Sequence, residues 1–144
     1  MSTSKDHPFA LPAALPGRLS RVLAYWDGLK RAANSMPFWD DADLSKLGDL
    51  ANDALLIDAF HKPQRFRFAV VGRDIAARFG SGVEGLFADD IEGRAPFEFF
   101  TAQCAVTIES TVGTFYKNES YGRILLPMWG DGQIGMLLGG YSFR

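Results

Sequence analysis

The stretch RFGSGVEGLF, residues 78–87, sets Gly80, Gly82 and Gly85 at the spacing G-x-G-x-x-G. That spacing is the fingerprint of a loop that cradles the pyrophosphate of NAD or FAD. The chemistry needs a strand running into the glycines and a helix starting directly after them, so that the phosphates lie on the helix N-terminus. Here a short helical pattern, IAARF, precedes the glycines, and LFADDIEG follows with Asp89, Asp90 and Glu92. Those carboxylates repel a pyrophosphate. No βαβ unit surrounds the match. Gly80 is expected to cap a helix while Gly82 and Gly85 permit turns, and NAD is set aside as a cofactor.

Other chemistry-bearing residues are sparse. The histidines are His7, in a Pro-rich leader, and His61, in a turn between strands, where a solvated side chain is expected. Neither has the neighbours that hold a general base in a cleft. G-x-S-x-G, Walker and H-E-x-x-H motifs are missing from the sequence. Asp40, Asp41 and Asp43 cluster as if for calcium, but the glycine and distal Glu of an EF-hand loop are lacking, and helix capping is the expected role. Cys104 is the single cysteine, which rules out an intramolecular disulfide and paired-cysteine zinc sites. Its apolar neighbours mark a buried, inert thiol. The reading is of a chain that is not an enzyme and holds no metal.

Fifteen Lys and Arg stand against seventeen Asp and Glu, a net charge of −2, so the basic footprint of nucleic-acid binding is missing. No apolar run reaches the roughly 18–20 residues of a membrane-spanning helix. FALPAALP in the leader is too short and too proline-broken for a signal peptide, which places the chain in the cytoplasm. Residues 1–16 are expected to be a disordered leader and residues 17–144 one domain.

The elements follow from periodicity. Leu19, Val22, Leu23, Trp26, Leu29 and Ala33 recur at helical spacing, and Pro37 stops that helix near Asn34 or Ser35. DDADLSKLGDLAN reads as an acidic turn and a short helical piece with Leu44, Leu47 and Leu50 inside. Strands are expected at 54–60 and 65–71, with a turn at HKPQ. Then come a helix ending at Gly80, loops, and a longer helix over 95–111 with Phe97, Phe100, Cys104, Ala105 and Ile108 as its stripe. VGTFYK, YGRILLPMW and IGMLLGGYSF are three further strands, the last two joined by the hairpin signal GDG. Two and three strands must share one antiparallel sheet, with the helical block on one face and the N-terminal amphipathic helix on the other. The fold class is α+β.

Four segments carry a resemblance to a known family: LAYWDGLKRAANSMP, ALLIDAF, RFRFAVVGRDIAARFG and GRILLPMWGDG. In that order they resemble a PAS domain of the short, single-domain kind found in proteobacteria, over about 120 residues past the leader. Two arginines expected from the resemblance are replaced, one by Ala69 and one by the Phe38-Trp39 pair. The histidine by which haem-binding relatives hold their cofactor is missing from 95–111, and Cys104 lies away from the position of the flavin-reactive cysteine; haem and flavin are therefore not expected.

The resemblance implies a cavity between sheet and helices, with Arg67, Ala69, Val71, Phe100, Cys104 and Tyr116 as candidate lining. If Val71 faces inward, period two sends Ala69 and Arg67 inward too, and turns Phe66, Phe68 and Val70 toward Trp26. A guanidinium there must be paired: with a ligand carboxylate or phosphate, with Glu98 or Glu109, or with water at the rim. The implied function is sensing and signal relay, through an unidentified small ligand or a signalling protein. A homodimer is expected through the stripe of Leu19, Val22, Leu23, Trp26 and Leu29. The alternative is a ligand-free dimerisation or adaptor module with a filled core.

Overall fold

The computed structural model describes residues 9–80 and 82–144. The first half of the expected leader, including His7, lies outside the described residues. Five strands, β1 (Ala54–His61), β2 (Gln64–Val71), β3 (Thr114–Lys117), β4 (Tyr121–Gly130) and β5 (Gln133–Phe143), pair antiparallel in the order β2-β1-β5-β4-β3. The last strand lies between the first and the fourth, so both strand groups close one sheet. The helices are α1 (Gly17–Gly28), α2 (Arg73–Phe79) and α3 (Phe100–Ser110), with 3-10 segments at Trp39–Asp41, Leu44–Asp53 and Ala88–Ile91. Among the described residues no helix is long and apolar enough to cross a membrane.

The two faces of the sheet are told apart by adjacent glycines on β5. A Cβ added at Gly140 would meet Val22 of α1 at 3.0 Å, while one at Gly139 would meet Leu55 and Leu125 on the opposite side. The back of the sheet therefore receives α1 so closely that a methyl group at Gly140 has no room without movement of Val22. Leu19, Val22 and Trp26 are buried there, and the Trp26 indole N–H donates to Pro127 O at 2.9 Å. α1 ends at Gly28, six residues before the expected Asn34. Leu29 N and Lys30 N fold back onto Trp26 O and Asp27 O as a tight turn, and Ala32 takes φ 50°. That turn brings Met36 inside and lets Trp129 N–H donate to Pro37 O at 2.8 Å.

The front face carries the helical block, and β2 reaches it differently from a plain period-two strand. The β1–β2 ladder shifts register between Leu56 and Ile57: Val70 pairs with Leu56, Phe68 with Ile57, and Ala69 is left over as a bulge. An inserted residue reverses the alternation. Phe66 and Phe68 thus share the front with Val71, while Arg67 and Val70 lie on the back. This corrects the expected placement of Arg67 and Ala69 inside and of Phe66 and Phe68 toward α1.

The helix expected over 95–111 begins only at Phe100: Pro96 and Glu98 present their carbonyls to Arg123 of the sheet, and Phe99 takes a left-handed φ of 57°. Its buried side is Phe100, Gln103, Cys104 and Thr107, so two polar residues take the place expected for Ala105 and Ile108, which are half-buried. The last eight residues of the expected leader are laid on the fold: Phe9 is buried and its carbonyl accepts from Phe115 N–H on the edge of β3. The opposite edge, β2, is covered by residues 84–87. Both edges that would otherwise invite another strand are thereby occupied.

Replacement of Trp26 by Ala is expected to cost roughly 3–5 kcal/mol, since it removes a large buried side chain and orphans Pro127 O; Leu29→Ala, at a half-buried site, should cost about 1 kcal/mol or less by the mutational norm for such positions. Urea unfolding followed by circular dichroism measures both, and equal effects would contradict the seating of α1.

Candidate functional site

Arg123 lies on β4, between Tyr121 and Leu125 on the front face, and is fully buried. A guanidinium cannot shed its charge, so burial demands that its N–H groups find acceptors. Nε donates to Gln103 Oε1 at 2.7 Å, Nη2 to Glu98 O at 2.8 Å and Nη1 to Pro96 O at 3.3 Å. No carboxylate lies within ion-pair distance of it among the described residues. Aromatic faces supply the rest: the guanidinium carbon is 4.8 Å from the Tyr116 ring centroid, 5.0 Å from Phe100, 5.8 Å from Tyr121 and 5.9 Å from Tyr141.

Each partner is fixed in turn. Gln103 gives Oε1 to the arginine, so its amide nitrogen faces Thr114 Oγ1 at 3.1 Å and Arg123 O at 3.3 Å. Thr107 donates its one hydroxyl proton to Gln103 O, so in the 2.6 Å contact between Thr107 and Thr114 the donor is Thr114. Tyr141 donates to Pro96 O at 2.8 Å and Tyr121 to Glu98 Oε1 at 2.6 Å. Three side chains of the sheet therefore hold residues 96–98, and α3 is fastened by its Gln and Thr. Burial pushes the Tyr141 phenol up to about 12 despite the neighbouring cation. Burial and the bond to Glu98 push Tyr121 higher still. Both remain neutral donors at physiological pH.

Among the described residues, aromatic side chains occupy the space between sheet and block. Phe68 packs at a tilt against Phe97 and Phe100, with ring centroids 4.8 and 5.2 Å apart, and Phe97 likewise against Phe79 at 5.6 Å. Phe100 and Cys104, expected to line a cavity, are buried in this packing. Burial drives the Cys104 thiol far up, so it is no nucleophile. Tyr116 is half-buried and lies between Arg123 and an outer groove of about 930 Å³ bounded by Phe9, Leu15, Phe99, Phe115, Lys117 and Arg144.

Arg67 is elsewhere. Its side chain is 43% exposed on the back of the sheet, and both Nε and Nη2 donate to Asp58 Oδ2, at 3.2 and 2.9 Å. The partner is thus its cross-strand neighbour and neither Glu98 nor Glu109. Val71 is half-buried on the front, with its N–H held by Glu84 Oε2 at 2.9 Å. Leu19, Val22 and Trp26 are engaged within the chain, which leaves only Leu23 and Leu29 of the expected dimer stripe half-buried.

The glycine loop also has a structural use. Gly80 caps α2 at φ 99°, and Gly85 at φ 89° donates to Phe68 O at 2.7 Å, beginning the strip that covers β2. His61 is half-buried rather than solvated, its Nε2–H donating to Ile134 O at 2.6 Å. Asp41 is held by Arg31 and Asp43 by Ser45.

Sequence reasoning passed over Arg123, Gln103, Thr107, Thr114, Tyr121 and Tyr141. A signal existed: Arg123 is a lone charge between apolar residues at every alternate position of a central strand. Compared with protein-family models, with curated proteins and with solved structures, the chain finds no match in any of the three.

Arg123→Met should cost about 2–3 kcal/mol, because the oxygens of Gln103, Pro96 and Glu98 are left in the interior without their charged donor. Arg67→Leu, which removes an exposed pair, should cost about 1 kcal/mol or less. Chemical denaturation of the two variants decides whether the arginines differ as described.

Proposed function

We propose that this chain is a PAS-like signal-relay module that acts through protein–protein contacts, with an interior occupied by its own side chains. Two strands, a helical block and three strands in one antiparallel sheet are what the resemblance noted in the sequence implies, and the ladder order supports it. The observation that carries the choice between a small-molecule sensor and an adaptor is the filled interior. An inward-facing cation, the feature best suited to an acidic ligand, already has Gln103, Pro96 and Glu98 as acceptors and four rings around it. A ligand would have to displace these while finding room among Phe68, Phe97 and Phe100.

In this proposal the exchangeable surface is the back of the sheet near β1 and β2, beyond the reach of α1. Phe60 and Val70 are exposed there, and the Arg67–Asp58 pair crosses it. Transmission from that surface to the block runs through the two faces of the same strands.

Native mass spectrometry of freshly purified protein tests the reading. The polypeptide mass alone, in monomeric or oligomeric multiples, is expected; a small-molecule excess that departs on denaturation would overturn the filled-core adaptor and restore the sensor.

A further inference from the structure

On the back of the sheet, the β4–β5 hairpin and the Trp39 turn enclose a pocket of about 260 Å³ lined by Trp39, Asp58, Gly130, Asp131, Gln133 and Met136, among others. We infer that this pocket is a docking site for one arginine side chain of a partner's basic peptide segment.

The size is the first argument. Pockets for free organic ligands generally occupy about 300–1,000 Å³, so this one is better matched to a single side chain presented by a chain that runs outside it. The walls are the second. Trp39 is 47% exposed, and its ring lies over Gly130, where an added Cβ would meet Cδ1 at 2.5 Å. The bare glycine is what lets the tryptophan ring come this close to the hairpin end, with nearly half of the residue still exposed. Such faces bind guanidinium groups through the ring quadrupole, and Trp does so best.

Charge is the third argument. Both Arg67 bonds fall on Asp58 Oδ2, which leaves Oδ1 without a hydrogen bond among the described residues. Asp131 makes no ion pair or hydrogen bond among the described residues, and no cationic side chain lines the pocket. An entering guanidinium would thus find the unpaired carboxylate of Asp131, the Oδ1 that Asp58 keeps beside its pair with Arg67, and an aromatic ring, and its planar fork suits carboxylate contact better than an ammonium does. Apolar flanks for the rest of a peptide are present: Trp129 borders an adjoining cleft with Met36 and Phe38, and Phe60 and Val70 are exposed on the same sheet. Aromatic anchors paired with arginine are the usual centres of protein interfaces.

The site deepens the adaptor reading, and it lies on the opposite face of the sheet from the interior. A retained interior ligand would therefore overturn the filled core and leave this inference standing. The test is a ¹H–¹⁵N NMR titration of the full chain with the peptide acetyl-Ala-Ala-Arg-Ala-Ala-amide and its citrulline counterpart, which has the same shape without the charge. Saturable shifts of the Trp39 indole and of the Asp131 and Gln133 amides are expected, at least tenfold weaker for citrulline. Asp131→Asn should weaken arginine-peptide binding at least threefold; asparagine tolerates the φ of 54° at that turn, so the fold is preserved. Trp39→Ala should abolish the remaining shifts. Equal binding of both peptides, no saturable shift, or the same shifts on raising protein concentration without peptide, which would make a second copy the occupant, each overturns the inference.

Discussion

A positive charge buried without a counter-charge is the constraint around which the front half of this protein is arranged. Taking a guanidinium out of water costs several kcal/mol even after relaxation, and Arg123 meets no carboxylate to offset it. Backbone carbonyls, one amide oxygen and aromatic faces do so instead. That choice of acceptors has structural consequences. With the carbonyls of Pro96 and Glu98 aimed at Arg123 and Tyr141, residues 96–98 stay irregular and α3 begins late, from Phe99 in the left-handed region at φ 57°. The polar side of α3 then turns inward, because Gln103 must reach the arginine and Thr107 must reach Thr114. Phe97 and Phe100 fill the remainder.

The back of the sheet obeys a different rule. There the strands are covered by close approach of apolar surfaces, with Gly140 admitting Val22 and the Trp26 indole anchored on Pro127 O. α1 is only twelve residues long and spans β4 and β5. β1 and β2 remain open behind it, with Arg67 and Asp58 pairing across them. An arginine on each face of one sheet thus has opposite meaning: the buried one fixes the architecture, and the exposed one lies on an uncovered surface.

Much of the architecture was legible in the residue pattern. Alternation and turn residues gave all five strands to within a residue or two at most ends, and the glycine at position 80 marked the end of α2. What failed did so for identifiable reasons. A bulge at Ala69 is invisible to period-two reasoning, and it alone inverted the faces of β2. α1 was drawn too long because Leu29 and Ala33 keep the helical spacing, while the tight turn after Gly28 answers to a tertiary demand, the placement of Met36 and Pro37 beside Trp129. The late start of α3 and the inward Gln103 follow from Arg123, and an arginine read as surface charge predicts neither. Apolar spacing places Phe100 and Cys104 on the inner stripe of α3 but says nothing of a cavity there, and the polar network beside them escapes any reading that assigns polar residues outward by default.

The account depends on Arg123 being closed off from water and held at its nitrogen atoms. The direct measurement is proton exchange at its Nε–H, observed by ¹⁵N NMR on the folded protein. A guanidinium clamped on Gln103, Pro96 and Glu98 should give a resolved, shifted Nε–H signal that exchanges with water at least a hundredfold more slowly than that of the exposed Arg144. An Arg123 signal at the free-arginine position, exchanging as fast as Arg144, would contradict the account.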